Sequence, residues 1–162
     1  MNFIHRITAP GRSREAGFTL IELMVVVLII AILITIAIPT FLGARARAQD
    51  RAAQSDLRNG LTAEKTIYTD AQTYDATTAK MKTIEPSLNW NGATAGRPAL
   101  TPSVGTTVSA NDTVCLTETS KSGTVFNIAD VGAGASAGTF RNKSGACTTA
   151  AATLSGAWNN GW

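Results

Sequence analysis

Apolar positions are distributed very unevenly along this chain. From Leu23 to Ala44, 22 residues pass without a charge, enough to cross a bilayer as a helix. The run Leu23–Ile38 holds one polar residue, Thr35, and ten of its sixteen residues are β-branched. In water that composition favours a strand. In lipid a lone strand leaves its backbone unpaired, so a helix is predicted. Polar positions show no period there, as expected of a helix surrounded by apolar groups on every side.

Beyond residue 44 the pattern becomes helical and one-sided. Ala53, Leu57, Leu61, Tyr68 and Ala71 recur at spacings of four, four, seven and three, with Ile67 beside them and Gly60 as an interruption. This predicts an amphipathic continuation over residues 45–74 that carries a polar domain on its flank. Residues 75–103, with Pro86, Pro98, Pro102 and the turn-like Asn91-Gly92, read as a connecting loop. Thr106–Ser109 and Thr113–Glu118 are β-prone, and Thr124–Ala129 places Phe126 and Ile128 on one face. With Thr119–Gly123 as the turn, residues 113–129 predict a hairpin. Thr139–Arg141 and a stretch near Thr148–Leu154 are candidates for further short strands. The economical fold is α+β, a long N-terminal helix packed on a small C-terminal antiparallel sheet. Four segments follow: a leader over 1–17, a hydrophobic helix over 18–44, its continuation over 45–74, and a loop plus sheet over 75–162.

Charge refines this division. The net charge is +3, but residues 1–17 hold Arg6, Arg12 and Arg14 against Glu15 alone. Without them 11 basic and 10 acidic residues remain, a difference of +1. Arginines just ahead of a span favour a cytoplasmic N-terminus, which places the polar domain outside; Arg45, Arg47 and Arg51 on the far side oppose that orientation. Arg45, Arg47, Arg51 and Arg58 can also be read as a DNA-binding patch. Interleaved Asp50 and Asp56 and the lack of neighbouring aromatics favour a solvated helix face instead.

The two cysteines, Cys115 and Cys147, both fall in the external part. An even pair in an exported small domain reads as a disulfide more readily than as a metal site, with two buried thiols as the alternative. Trp158 and Trp162 need cover, either in the core or at a subunit contact.

Glu22 separates this chain from a plain membrane anchor. A carboxylate entering an apolar helix costs on the order of 2–3 kcal/mol at depth. A cut between Gly17 and Phe18 would create an α-amino group one helical turn from Glu22, able to pair with it or with the same residue of a neighbouring helix. Such a pair would also set the axial register between helices. A secretory signal peptide ending near Ala44-Arg45-Ala46 is the other reading, but its apolar core would be too long.

Gly17 followed by Phe18-Thr19-Leu20-Ile21-Glu22 and the apolar run resembles the type III signal of type IV prepilins and related pseudopilins. The resemblance covers about residues 11–48. It implies a prepilin peptidase that cuts after Gly17 on the cytoplasmic face and methylates the Phe18 amine. It also matches Glu22 to the family's assembly glutamate and Pro39 to its mid-helix proline. Pro39 removes a backbone donor and crowds the Thr35 carbonyl, which predicts a kink; the resemblance adds local melting when the helix packs in a filament. The stretch from Ala63 through Tyr74 is similar to the end of this helix in many pilins.

The implied protein is a structural filament subunit rather than an enzyme, with itself as principal partner. The resemblance adds an assembly platform protein and ATPase, a membrane-held precursor and an extracellular pilus serving adhesion or motility. The alternatives are a pseudopilin of a type II secretion system, or a signal-anchored extracytoplasmic binding domain. No cofactor or metal is implied. His5, the one histidine, lies in the leader. The glycine-rich stretch 132–138 lacks the spacing of a dinucleotide loop, and the sequons at Asn111 and Asn142 carry little weight.

Overall fold

The computed structural model describes residues 17–75, 77–92, 98–105, 111–143, 145, 147–149, 158 and 162. The chain forms two compact units, residues up to Phe41 and residues from Leu42 onward. Helix α1 (Leu20–Ala71, 52 residues) runs through both and continues through Pro39. The expected leader lies outside the described residues except for Gly17.

Along the first part of α1 the large apolar side chains from Phe18 to Leu42 are all exposed, the least so (Val26 and Ile30) still at 47%. This part of α1 is long and apolar enough to cross a membrane. Its hydroxyls bond to its own backbone: Thr35 Oγ1 donates to the Ala31 carbonyl at 2.8 Å and Thr40 Oγ1 to that of Ala37 at 2.9 Å. Hydroxyls tied back in this way suit a helix whose surroundings offer no water.

The second unit is built on a four-stranded meander: β1 (Leu100–Gly105), β2 (Thr113–Thr119), β3 (Val125–Val131) and β4 (Gly138–Lys143), in that spatial order and antiparallel throughout. Strand alternation sends Val114, Leu116, Phe126 and Ile128 into one cluster with Ala53, Leu57, Leu61 and Ile67 of α1. Cys115, Ala129 and Val131 form a second cluster with Trp158, Phe140 and Cys147. The sheet therefore has the helix on one face and Cys147 and Trp158 packed on the other. The β2–β3 turn closes through Ser120 N–H to Thr124 O at 2.8 Å, with Gly123 at φ +91°.

The helical stripe and the hairpin match the sequence pattern, apart from Ala71, which is exposed. Residues 75–103 do not form a plain loop. They contain helix α2 (Thr78–Ile84) and the start of β1. Seven residues with one buried anchor, Met81, give no readable period, and the helix stops before Pro86. Pro102 is tolerated because β1 is an edge strand. Trp90, fully buried, donates its indole N–H to Glu85 O at 2.9 Å. The expected strand at Thr106–Ser109 lies outside the described residues; Thr148 and Thr149 are not in a strand, and residues 150–154 lie outside.

Gly60 serves close approach. A Cβ there would stand 3.0 Å from Leu100 Cδ2 and 3.2 Å from Leu116 Cδ1, so the missing side chain lets α1 approach the sheet. Gly60→Val is expected to destabilise the outer unit by about 1–3 kcal/mol through overpacking. Chemical unfolding of the detergent-solubilised chain measures this, and unchanged stability would mean that the sheet yields.

Glu64 is fully buried on the same helix. Its Oε2 accepts the Asp75 N–H at 3.3 Å, and its Oε1 has no hydrogen-bond partner among the described residues. Burial pushes its carboxyl from 4.5 up to about 7; the charge of Asp75 adds to this, while the Asp75 N–H and Lys80 oppose it. The folded state thus holds this proton more tightly than the unfolded chain does. The resulting stability is complete below about pH 4.5 and is lost as pH rises through about 7. The loss is on the order of 3 kcal/mol, at about 1.4 kcal/mol per pH unit. Glu64→Gln should flatten the stability–pH profile across this window in urea unfolding, and a profile as steep as that of the wild type would contradict the assignment.

Candidate functional site

Gly17, Phe18 and Thr19 precede the first residue of α1 and are exposed. A Cβ at Gly17 would meet none of the described residues within 4 Å. Phe18 is 81% exposed.

The helix entry is a reciprocal cap. Thr19 N–H donates to Glu22 Oε2 at 2.9 Å and Thr19 Oγ1 donates to the same oxygen at 2.7 Å. The Glu22 N–H donates back to Thr19 Oγ1 at 3.2 Å. This is a capping box, in which the Ncap hydroxyl and the N3 carboxylate each satisfy a backbone donor of the other. The Thr-x-x-Glu spacing is the sequence signature of such a cap, which a reading of Glu22 by its charge alone does not give. Glu22 has a local partner in the single chain, and it lies where helix dipole and carboxylate attract. The next backbone nitrogen toward the N-terminus is that of Phe18, one residue step of about 3.8 Å along the chain. A cation there would join a carboxylate already oriented by Thr19.

Pro39 lies well along the same helix, and α1 continues through it. It removes the N–H that would reach Thr35 O, but the backbone remains helical on both sides. Cys115 and Cys147 are joined by a disulfide with Cα atoms 6.0 Å apart, on the sheet face opposite the helix.

The other candidates fall into structural roles. Arg58 lies 5.3 Å from the Trp162 ring centroid and Arg141 5.5 Å, and the same ring meets Phe126 edge-on. Trp158 is buried, and half-buried Trp162 donates its N–H to Asn142 O at 3.2 Å. Gly132 sits against Tyr68, where a Cβ would overlap the ring. Buried Asp130 accepts from Tyr74 and Thr139 and pairs with Lys65 at 2.8 Å. This network went unread because its members are far apart in sequence. Burial, reinforced by Asp130, raises the Tyr74 phenol. Among the described residues, no group of three or more His, Cys, Asp or Glu side chains could hold a metal ion.

The family described as a prokaryotic N-terminal methylation motif matches residues 12–38. The type IV major pilin protein PilA of Myxococcus xanthus is 46% identical over 61 residues, 38% of this chain and 28% of that protein. The type IV wide pilus major component PilA4 of Thermus thermophilus is 38% identical over 65 residues, covering 40% of this chain and 50% of that protein. The type II secretion system core protein G of Aeromonas hydrophila is 39% identical over 46 residues, 28% of this chain and 32% of that protein. The chain thus spans half or less of the length of these relatives. Over its N-terminal part the chain is thus similar to type IV pilins and matches the N-terminal methylation motif, ahead of a four-stranded antiparallel sheet.

Proposed function

We propose that the chain is the precursor of a structural subunit of a type IV pilus-like filament. The observation that carries this reading is the exposed apolar surface of residues 18–42, led by a capped carboxylate at Glu22. A membrane covers that surface in the precursor, with the N-terminus cytoplasmic; neighbouring copies cover it in the filament, after which the pilus is extracellular. A prepilin peptidase cuts between Gly17 and Phe18 and methylates the new amine. Glu22 then pairs with the Phe18 amine of its own or a neighbouring chain and fixes the register. Pro39 gives the helix a place to loosen on packing. A platform protein and an ATPase drive assembly.

A pseudopilin of a type II secretion system is the second reading, favoured by the similarity to core protein G. The disulfide closing the C-terminal region supports the pilin reading over it.

The N-terminal mass of the chain isolated from its native host tests the pathway. A terminus at Phe18 carrying one extra methyl group is expected; an intact leader, or a cut near Ala46, would overturn the proposal. Glu22→Gln should leave this processing intact while abolishing surface filaments in electron micrographs. Normal filaments from that variant would remove Glu22 from assembly. Surface filaments containing the chain also separate the pilin reading from the pseudopilin one.

A further inference from the structure

The arginines that follow the apolar run are less compensated than their sequence neighbours suggest. The nearest interleaved acid, Asp50, turns away from them: its Oδ1 accepts from the Ser120 hydroxyl at 2.7 Å and also from that of Ser122, both in the β2–β3 turn. Among the described residues, no ion pair joins Arg45, Arg47 or Arg51 to a carboxylate; the pairs formed are Lys65–Asp130 and Lys80–Asp75. Arg58, seven residues beyond Arg51, has the Trp162 ring. Arg45, Arg47 and Arg51 are all exposed. Arg45 borders a shallow groove that also holds Lys121, which adds a cation, along with Asp56 and Glu118.

Their position along the helix points to a partner. The uncharged run Leu23–Ala44 has 22 residues, about 33 Å of helix, against a hydrocarbon core of about 30 Å. The arginines therefore begin where the headgroups begin. Helical side chains lean toward the helix N-terminus, here toward the apolar run. Arg47 does so visibly: a Cβ built at Gly43 would stand 3.4 Å from Arg47 Nη1. Its guanidinium lies back along the helix, at the boundary of the run.

We propose that Arg45, Arg47 and Arg51 form a collar that binds anionic phospholipid headgroups at the outer end of the membrane-held segment. Guanidinium groups match phosphate oxygens in geometry as well as charge. The collar fixes how deep the precursor sits, and it must release its lipids when the helix leaves the membrane. This inference rests on residues 18–44 being membrane-held in the precursor.

The test uses the full chain in nanodiscs of equal parts phosphatidylglycerol and phosphatidylcholine, with the lipids retained by the protein counted by native mass spectrometry. Phosphatidylglycerol is expected to be enriched about fivefold around the wild type, the scale of one well-placed arginine. The enrichment should fade between about 0.1 M and about 1 M salt. R45Q/R47Q/R51Q should lower the enrichment by about twofold or more, the leader arginines keeping what remains, whereas K80Q/K82Q/K143Q, which removes three charges elsewhere, should keep the wild-type preference. Enrichment that is undiminished in the arginine variant, falls equally in the lysine variant, or ignores salt would overturn the collar. A chain that inserts without lipid preference removes the collar alone; a chain that fails to enter the nanodisc removes the membrane-held reading with it.

Discussion

About two dozen residues of continuous apolar helix stand exposed among the described residues, and this constraint governs everything else in the molecule. The surface from Phe18 to Leu42 cannot face water without a large hydration cost, so the chain must be held by lipid or by other helices. A single helix can do either because its backbone is already satisfied. Its side chains have no shape partner within the molecule, and the same surface can serve a fluid solvent first and a packed one later. The one carboxylate on it is bound locally by Thr19, which lowers the penalty of keeping a charge at the edge of an apolar medium.

The second unit solves the opposite problem: it must be stable without drawing on the apolar run. Its core begins at Ala53, past the last of the uncharged residues, and is completed by strands and loops from the C-terminal half. Gly60 allows close approach, and Leu57 and Leu61 fill the interface. Buried Asp130 gathers Lys65, Tyr74 and Thr139 from α1, the segment just after it and β4. Removing one member would leave a buried charge with fewer partners, which is more damaging than never having had the network.

Much of this was legible in the sequence. The uncharged run, the Gly-Phe-Thr-Leu-Ile-Glu entry and the stripe of Ala53, Leu57, Leu61 and Ile67 each follow a rule local to the helix. The hairpin likewise follows from strand alternation around a polar turn. What escaped notice depends on tertiary placement. Trp90 has no local reason to be fully buried. Gly60 reads as a weak helix residue until Leu100 and Leu116 arrive beside it. Helix α2 is too short for any period, and nothing local ties Asp50 to Ser120 and Ser122, some seventy residues away. At the helix entry the spacing of Thr19 and Glu22 is itself the signature of the cap.

The disulfide has a consequence for the order in which the chain is made. Cys147 follows Cys115 by 32 residues, and the two meet on the sheet face turned away from α1. The helix-side core can form as soon as β1, β2 and β3 have been delivered, whereas the other face can be locked only when residue 147 reaches the same oxidising compartment. On the export route proposed above, the covalent closure therefore marks a sheet delivered whole, and before it forms the fold has only its non-covalent contacts.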